Sequence, residues 1–243
     1  MEPIYQKTEG KEKTVYSKES ISKVIRQMKE TERKYSPWPI SQIKMTISEG
    51  NRKIGKTLNV SLPPIMTCAN CSECKYLCYD VKACLQYPNT VIDSRVRNYV
   101  ILMKDRNEYF NRIQTALNKR KANKFFRWHV AGDILDIDYF DRMVKMARAN
   151  PGYKFWTYTK NYTVVNEWIK NNGGKPSVPS NLSIMFSEWR GVEMVNPYGF
   201  GEFRVVFKDE EKPEGFYCPG NCDVCIKSGR GCIANETVYC NEH

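Results

Sequence analysis

Apolar residues recur at helical spacing in Ile21, Val24, Ile25 and Met28, which predicts an amphipathic helix over about 18–34. Ser36-Pro37-Trp38-Pro39 ends it, because proline cannot continue the hydrogen-bond ladder. Ile43, Met45 and Ile47 then alternate, as do the residues from Thr57 to Leu62, so the two stretches are expected to pair as strands. Two further helices are predicted over Asn89–Lys104 and Glu108–Lys121. Their apolar stripes are Val96, Tyr99, Val100 and Met103 in the first, and Tyr109, Phe110, Ile113 and Leu117 in the second. The opposite faces carry Arg95, Arg97, Arg112, Lys119, Arg120 and Lys121, a basic face open to solvent.

From Phe125 the period changes. Phe125–Ala131, Tyr153–Thr159 and Leu182–Ser187 read as buried strands, with Phe203–Phe207 as a fourth. Helical patterns at Tyr139–Ala149 and Val164–Asn172 separate the first three, closed by Asn150-Pro151-Gly152 and by Gly173-Gly174. Such alternation means βα units on a parallel sheet. The expected fold is therefore α/β, a partial or complete βα barrel over about 125–207. Residues 1–40 would form an N-terminal helix and linker, and 41–243 a single α/β domain. The strands end in polar groups: His129 and Asp133, then Lys160, then Glu188 and Arg190. Ligand sites form at the C-terminal ends of parallel strands, so these five residues are the candidate catalytic set lining a substrate pocket.

Two cysteine runs interrupt this pattern. Cys68, Cys71, Cys74 and Cys78 follow C-x2-C-x2-C-x3-C, the spacing of a bacterial ferredoxin loop, with Tyr79 where proline usually stands. Neither helix nor strand has that period, whereas a loop coiled round a soft ion or cluster brings such thiolates together. Cys218, Cys222, Cys225 and Cys232 form the second run, among the turn formers Pro219, Gly220, Gly229 and Gly231. Its first three members have the C-x3-C-x2-C spacing of a radical-SAM cluster loop, if Cys232 ligates elsewhere. Cys84 and Cys240 stand outside both runs and are expected to be small buried hydrophobes. Gly50 to Thr57 spells G-x-x-x-x-G-K-T, but the alternation after it and Pro63-Pro64 leave no helix to meet a phosphate. A basic turn offering Arg52, Lys53 and Lys56 is the better reading.

Composition narrows the chemistry. The first thirteen residues are charged and lack an apolar core segment, and no run approaches a membrane span, so a cytoplasmic protein with no membrane partner is expected. In that compartment ten cysteines mean metal ligation rather than disulfides. The formal net charge is +11. Two four-thiolate centres of about −2 each would leave roughly +7, still a field that favours nucleic acid.

The chain resembles the gene-product-88-like proteins of bacteriophages and integrative mobile elements from about Gly50 onward. The likeness rests on Gly50-Asn51 through Lys56 into Ser61-Leu-Pro-Pro64, on Thr67-Cys68 to Cys78-Tyr79, and on Tyr87-Pro-Asn-Thr90. It continues through Phe126-Arg-Trp-His129 to Gly132-Asp133, Asn196-Pro-Tyr-Gly199, Cys218 to Cys232 and Asn241-Glu-His243. The resemblance implies a mobile-element protein with two cysteine clusters and supplies no activity. Two readings stand. One is an iron–sulfur protein with two [4Fe-4S] clusters, a radical-SAM-like or other redox enzyme using S-adenosylmethionine on nucleic acid or a nucleotide. The other is a non-enzymatic nucleic-acid-binding protein stapled by two zinc tetrathiolates.

Overall fold

The computed structural model describes residues 4–6 and 13–242. Two short strands, β1 (Ile4–Gln6) and β2 (Lys13–Val15), pair antiparallel ahead of helix α1 (Lys18–Tyr35). Ser17 caps α1 by accepting from the Ser20 amide, an N-cap worth about 1 kcal/mol. Ile21, Val24 and Met28 bury its apolar stripe, as expected, in the same core as the rest of the molecule.

Seven strands form the main sheet in the order β3-β4-β5-β6-β7-β9-β8, and every neighbouring pair is parallel. They are β3 (Leu58–Val60), β4 (Phe125–Trp128), β5 (Lys154–Thr159), β6 (Leu182–Glu188), β7 (Gly201–Val206), β8 (Phe216–Tyr217) and β9 (Val238–Asn241). Five consecutive strands lie in chain order, the consequence of βα units advancing in one direction. The fold is α/β, as expected. Among the described residues no ladder joins β3 to β8, so the strand pairing does not close a complete barrel.

The helices α2 (Tyr79–Gln86), α3 (Asp93–Lys104), α4 (Arg106–Lys119), α5 (Ile137–Ala149) and α6 (Tyr162–Asn171) join α1 over one core. That core takes Phe126 and Trp128, Phe155, and Ile184 and Phe186 from alternate positions of β4, β5 and β6. The intervening positions, Arg127, Trp156, Tyr158, Ser183 and Met185, therefore face the other side of the sheet. There a smaller cluster of Met185, Cys232 and Val238 packs with Tyr158, Phe203, Phe216 and Cys218, next to α7 (Cys222–Ser228).

Two expectations are corrected. Residues 43–47 are not a strand; the one backbone pairing here is Ser48 with Asn59, and β3 takes β4 as its neighbour instead. Side chains of α3 satisfy this segment: Asn98 exchanges hydrogen bonds with Thr46, and Arg97 reaches the Lys44 carbonyl and the Thr46 hydroxyl. The basic face of α3 and α4 is also largely engaged. Arg95 pairs with Asp80 at 2.5 Å, Arg97 with Asp93, and Arg112 with Glu108 and the carbonyls of Ile40 and Ile43. Arg120 donates to the carbonyls of Lys56, Ala122 and Asn123. A guanidinium's fixed fork suits such multiple acceptors, which leaves only Lys119 and Lys121 of that set exposed.

Candidate functional site

The first cysteine run leaves β3 at its C-terminal end. Leu62 is tied to the Ala131 carbonyl and Thr67 to that of Pro63, which aims the loop across the ends of β4 and β5. Gly132, with φ +88°, lets this happen: a Cβ there would meet Leu62 and the Thr67 hydroxyl at 2.7 Å. Asn70, in the left-handed region at φ 49°, donates its side-chain amide to the Lys160 carbonyl at 2.7 Å. The loop is thereby pinned over the strand ends.

Within it Cys68 and Cys74 are the side chains that most strongly perturb the Cys71 thiol and push it up, so the three are neighbours in the loop. Cys74 is pushed down to about 6, first by the neighbouring Cys71 thiol, with Lys160 and Lys75 adding to the effect against burial. Burial, then Asp80, pushes Cys78 up to about 12. A cavity of about 470 Å³ opens beside Cys68 and Cys71, bounded by Ile21 of α1, Tyr76, Lys18 and Lys75.

The second run covers the sheet face that the helices leave open. Cys218 follows β8, Cys222 and Cys225 lie in α7, and Cys232 sits in a short 3-10 turn. The Ser183 hydroxyl anchors that turn by donating to the Ile233 carbonyl at 2.7 Å. Cys225 and Cys232 are buried, and burial, followed by neighbouring thiols, pushes Cys225 up to about 11. Cys232 rises to about 12, again chiefly by burial. The turn resembling a phosphate loop docks here: Asn51 bridges to Gly55, the Lys53 carbonyl accepts from the Cys222 amide, and β3 comes next instead of a helix. Arg52, Lys53 and Lys56 remain exposed.

None of the ten cysteines is in a disulfide, and Cys84 and Cys240 are buried, as expected. Among the described residues no group of three or more His, Cys, Asp or Glu side chains is arranged about a common point for a metal ion. The donor chemistry of both runs nevertheless suits a soft metal or cluster, being sulfur throughout, with lysine beside Cys74 to favour the thiolate.

The five strand-end residues divide. Asp133 is buried, its carboxylate accepting from the amides of Ile134 (2.7 Å) and Lys160 (2.9 Å), which ties the end of β4 to the end of β5. It does not cap α5; Asp136 does, accepting from the Tyr139 amide. His129 is buried at φ 51°, with Nε2 3.0 Å from the Tyr139 hydroxyl and Nδ1 3.4 Å from that of Thr157. Burial, with Arg127 adding, drops it to about 3, so the ring is neutral. Lys160 reaches over Trp189 at 5.6 Å, and burial raises Glu188, which lies 3.6 Å from Arg204. Arg190 is exposed and paired with Asp209 and Glu210. Lys160 and Asp133 lie beside Cys74, so the first run, not the second, adjoins the strand ends. Tyr162 stands among Asp133, Glu188, Cys74 and Glu202, and sequence reasoning missed it. It also missed Arg127, whose signal was a lone charge inside the apolar strand Phe-Phe-Arg-Trp.

The model of the family described as Gene product 88 matches residues 28–239. The chain belongs to that family. The match takes in both cysteine runs and all five strand-end residues, while α1 begins before it. No curated protein and no solved structure matches the chain. His243 of the expected terminal motif lies outside the described residues. Among the described residues no helix is long and apolar enough to cross a membrane.

Proposed function

We propose that this family member is an iron–sulfur protein with two thiolate centres, the first of which serves a substrate site at the ends of β5 and β6. The observation that carries the reading is the pinning of the first cysteine run over the ends of β4 and β5, by the Leu62 amide on the Ala131 carbonyl and the Asn70 side chain on the Lys160 carbonyl. Cys68, Cys71, Cys74 and Cys78 would hold one cluster, and Cys218, Cys222, Cys225 and Cys232 the other. Such clusters supply electron transfer or, with an open iron, reductive activation of S-adenosylmethionine. Lys160 and Glu188 would orient substrate, while Asp133, His129 and Tyr162, whose hydroxyl donates to the Ser187 carbonyl, hold the strand ends in place. Exposed Arg52, Lys53 and Lys56 support a polyanionic substrate or partner, nucleic acid being the class that the charge balance favours.

Burial of Cys225 and Cys232 favours a second reading, in which closed zinc tetrathiolates staple a basic binding module. The visible spectrum of anaerobically purified protein separates the two. Charge-transfer absorption that bleaches on reduction supports iron–sulfur, and a colourless protein carrying zinc supports the staple. Iron–sulfur protein that is reduced with S-adenosylmethionine and yields 5′-deoxyadenosine is a radical enzyme; failure to bind or cleave the cofactor leaves electron transfer.

A further inference from the structure

Arg127 and Trp156 are opposite each other in the β4–β5 ladder, and Trp156 is opposite Ser183 in the β5–β6 ladder. All three lie on the sheet face beneath the second cysteine run. Arg127 Nε and Trp156 Nε1 are buried, and neither has a hydrogen-bond partner among the described residues. The Arg127 guanidinium lies 4.7 Å from the Tyr158 ring centroid and has no carboxylate within ion-pair distance among the described residues. A desolvated cation beside an unpaired N–H is costly unless an anion faces it. Its electrostatic neighbours are Tyr158, Tyr79, Cys222 and Cys232, so the acceptors at hand are the oxygens of phenols and the sulfurs of the second run. Neutral thiols would accept these donors weakly, whereas metal-bound thiolates or cluster sulfides accept them well.

We infer that Arg127 and Trp156 are positioning residues for the C-terminal metal centre, a floor of N–H donors and one fixed positive charge that holds an anionic sulfur assembly against the sheet. The inference rests on the two-centre reading and adds which residues of the sheet retain the second centre. It holds for either metal, since a four-iron cluster and a zinc tetrathiolate both carry net negative charge through their cysteines.

The test measures metal release from full-length, anaerobically purified protein to a coloured chelator, ferrozine for iron or 4-(2-pyridylazo)resorcinol for zinc. Outer-shell partners typically change metal affinity by roughly 10- to 100-fold. Arg127→Met and Trp156→Phe should each release half of the metal at least about tenfold faster while the other half, at the first run, leaves at the wild-type rate. Arg127→Lys, which keeps the charge and loses the Nε donor, should fall between. If Arg127→Met does not fold, the Trp156→Phe and Arg127→Lys proteins carry the comparison. Release at the wild-type rate in every variant, or equal acceleration of both halves, overturns the inference and leaves the two-centre reading standing. Wild-type protein that is folded and holds no metal overturns both.

Discussion

At the scale of single residues, two of the five strand-end polar groups, His129 and Asp133, are held by internal hydrogen bonds. His129 and Asp133 were legible as a site because they end a strand; the structure shows that each is saturated by backbone or core partners. One chain gives the position of such a group and not its hydrogen bonds, which come from β5 and α5. Their titrations oppose each other. His129 sits at about 3 in the folded protein against 6.5 when free, so as pH falls below 6.5 the unfolded chain takes a proton that the folded one refuses. His129 therefore withdraws stability on acidification, by about 1.4 kcal/mol per pH unit until pH nears 3. Asp133, raised to about 6 by burial, keeps its proton in the folded state between 3.8 and 6, so its contribution is lost as pH rises through that window. Replacing His129 with Gln removes only the first effect. Urea unfolding should then show the wild type losing about 1–1.4 kcal/mol per pH unit relative to His129→Gln between pH 6 and 4. A gap independent of pH would mean that the ring is solvated. Asp133→Ala leaves two buried amides without an acceptor and should cost about 2–4 kcal/mol, with Asp133→Asn costing less because its carbonyl still accepts. Equal losses in the two variants would contradict a purely structural role.

At the scale of elements, helices and central strands were readable wherever periodicity was strong. α1, α3 to α6 and β4 to β6 fall where the apolar pattern puts them. The misses share a physical cause: their order comes from partners distant in sequence. Residues 43–47 alternate like a strand, yet side chains from α3 and α4 take their backbone groups. β8 and β9 are too short to show a period, and α7 is framed by turn formers around cysteines. The Gly50–Thr57 turn shows that a short motif takes its meaning from the element on its C-terminal side. With a strand there, its glycines serve packing. Gly55 has φ +63°, and a Cβ there would lie 1.8 Å from the Asp223 carboxylate of α7. Gly55→Ala should destabilise the protein by about 1–3 kcal/mol through that clash and the left-handed backbone. Adding Asp223→Ala should recover only the steric part, as read from denaturant midpoints. If the single variant is as stable as wild type, the turn does not dock on α7.

At the scale of the molecule, one parallel sheet separates two different cysteine environments. The first run rides over the strand ends beside a cavity, and the second is pressed against the sheet face that the helices leave bare. The parallel sheet was legible because strand–helix alternation forces it. The sidedness was not, since it depends on where the C-terminal segment returns. Charge is also redistributed by folding. With most arginines of α3 and α4 engaged in ion pairs and carbonyl bonds, the turn of Arg52, Lys53 and Lys56 stays exposed and docks on the second run through the Lys53 carbonyl and the Cys222 amide. Changing all three to Ala should weaken binding to a DNA or RNA oligonucleotide and reduce the slope of log K against log salt by about 2–3. An unchanged slope would place the polyanion elsewhere or exclude one.

The central claim, two thiolate metal centres on one α/β chain, is tested most directly by native mass spectrometry of the full-length protein purified without oxygen. A folded chain carrying the added mass of two four-iron clusters is expected, with iron near eight per chain. Cys71→Ser should lose one centre and Cys222→Ser the other. A folded chain whose mass is that of the bare polypeptide would contradict it.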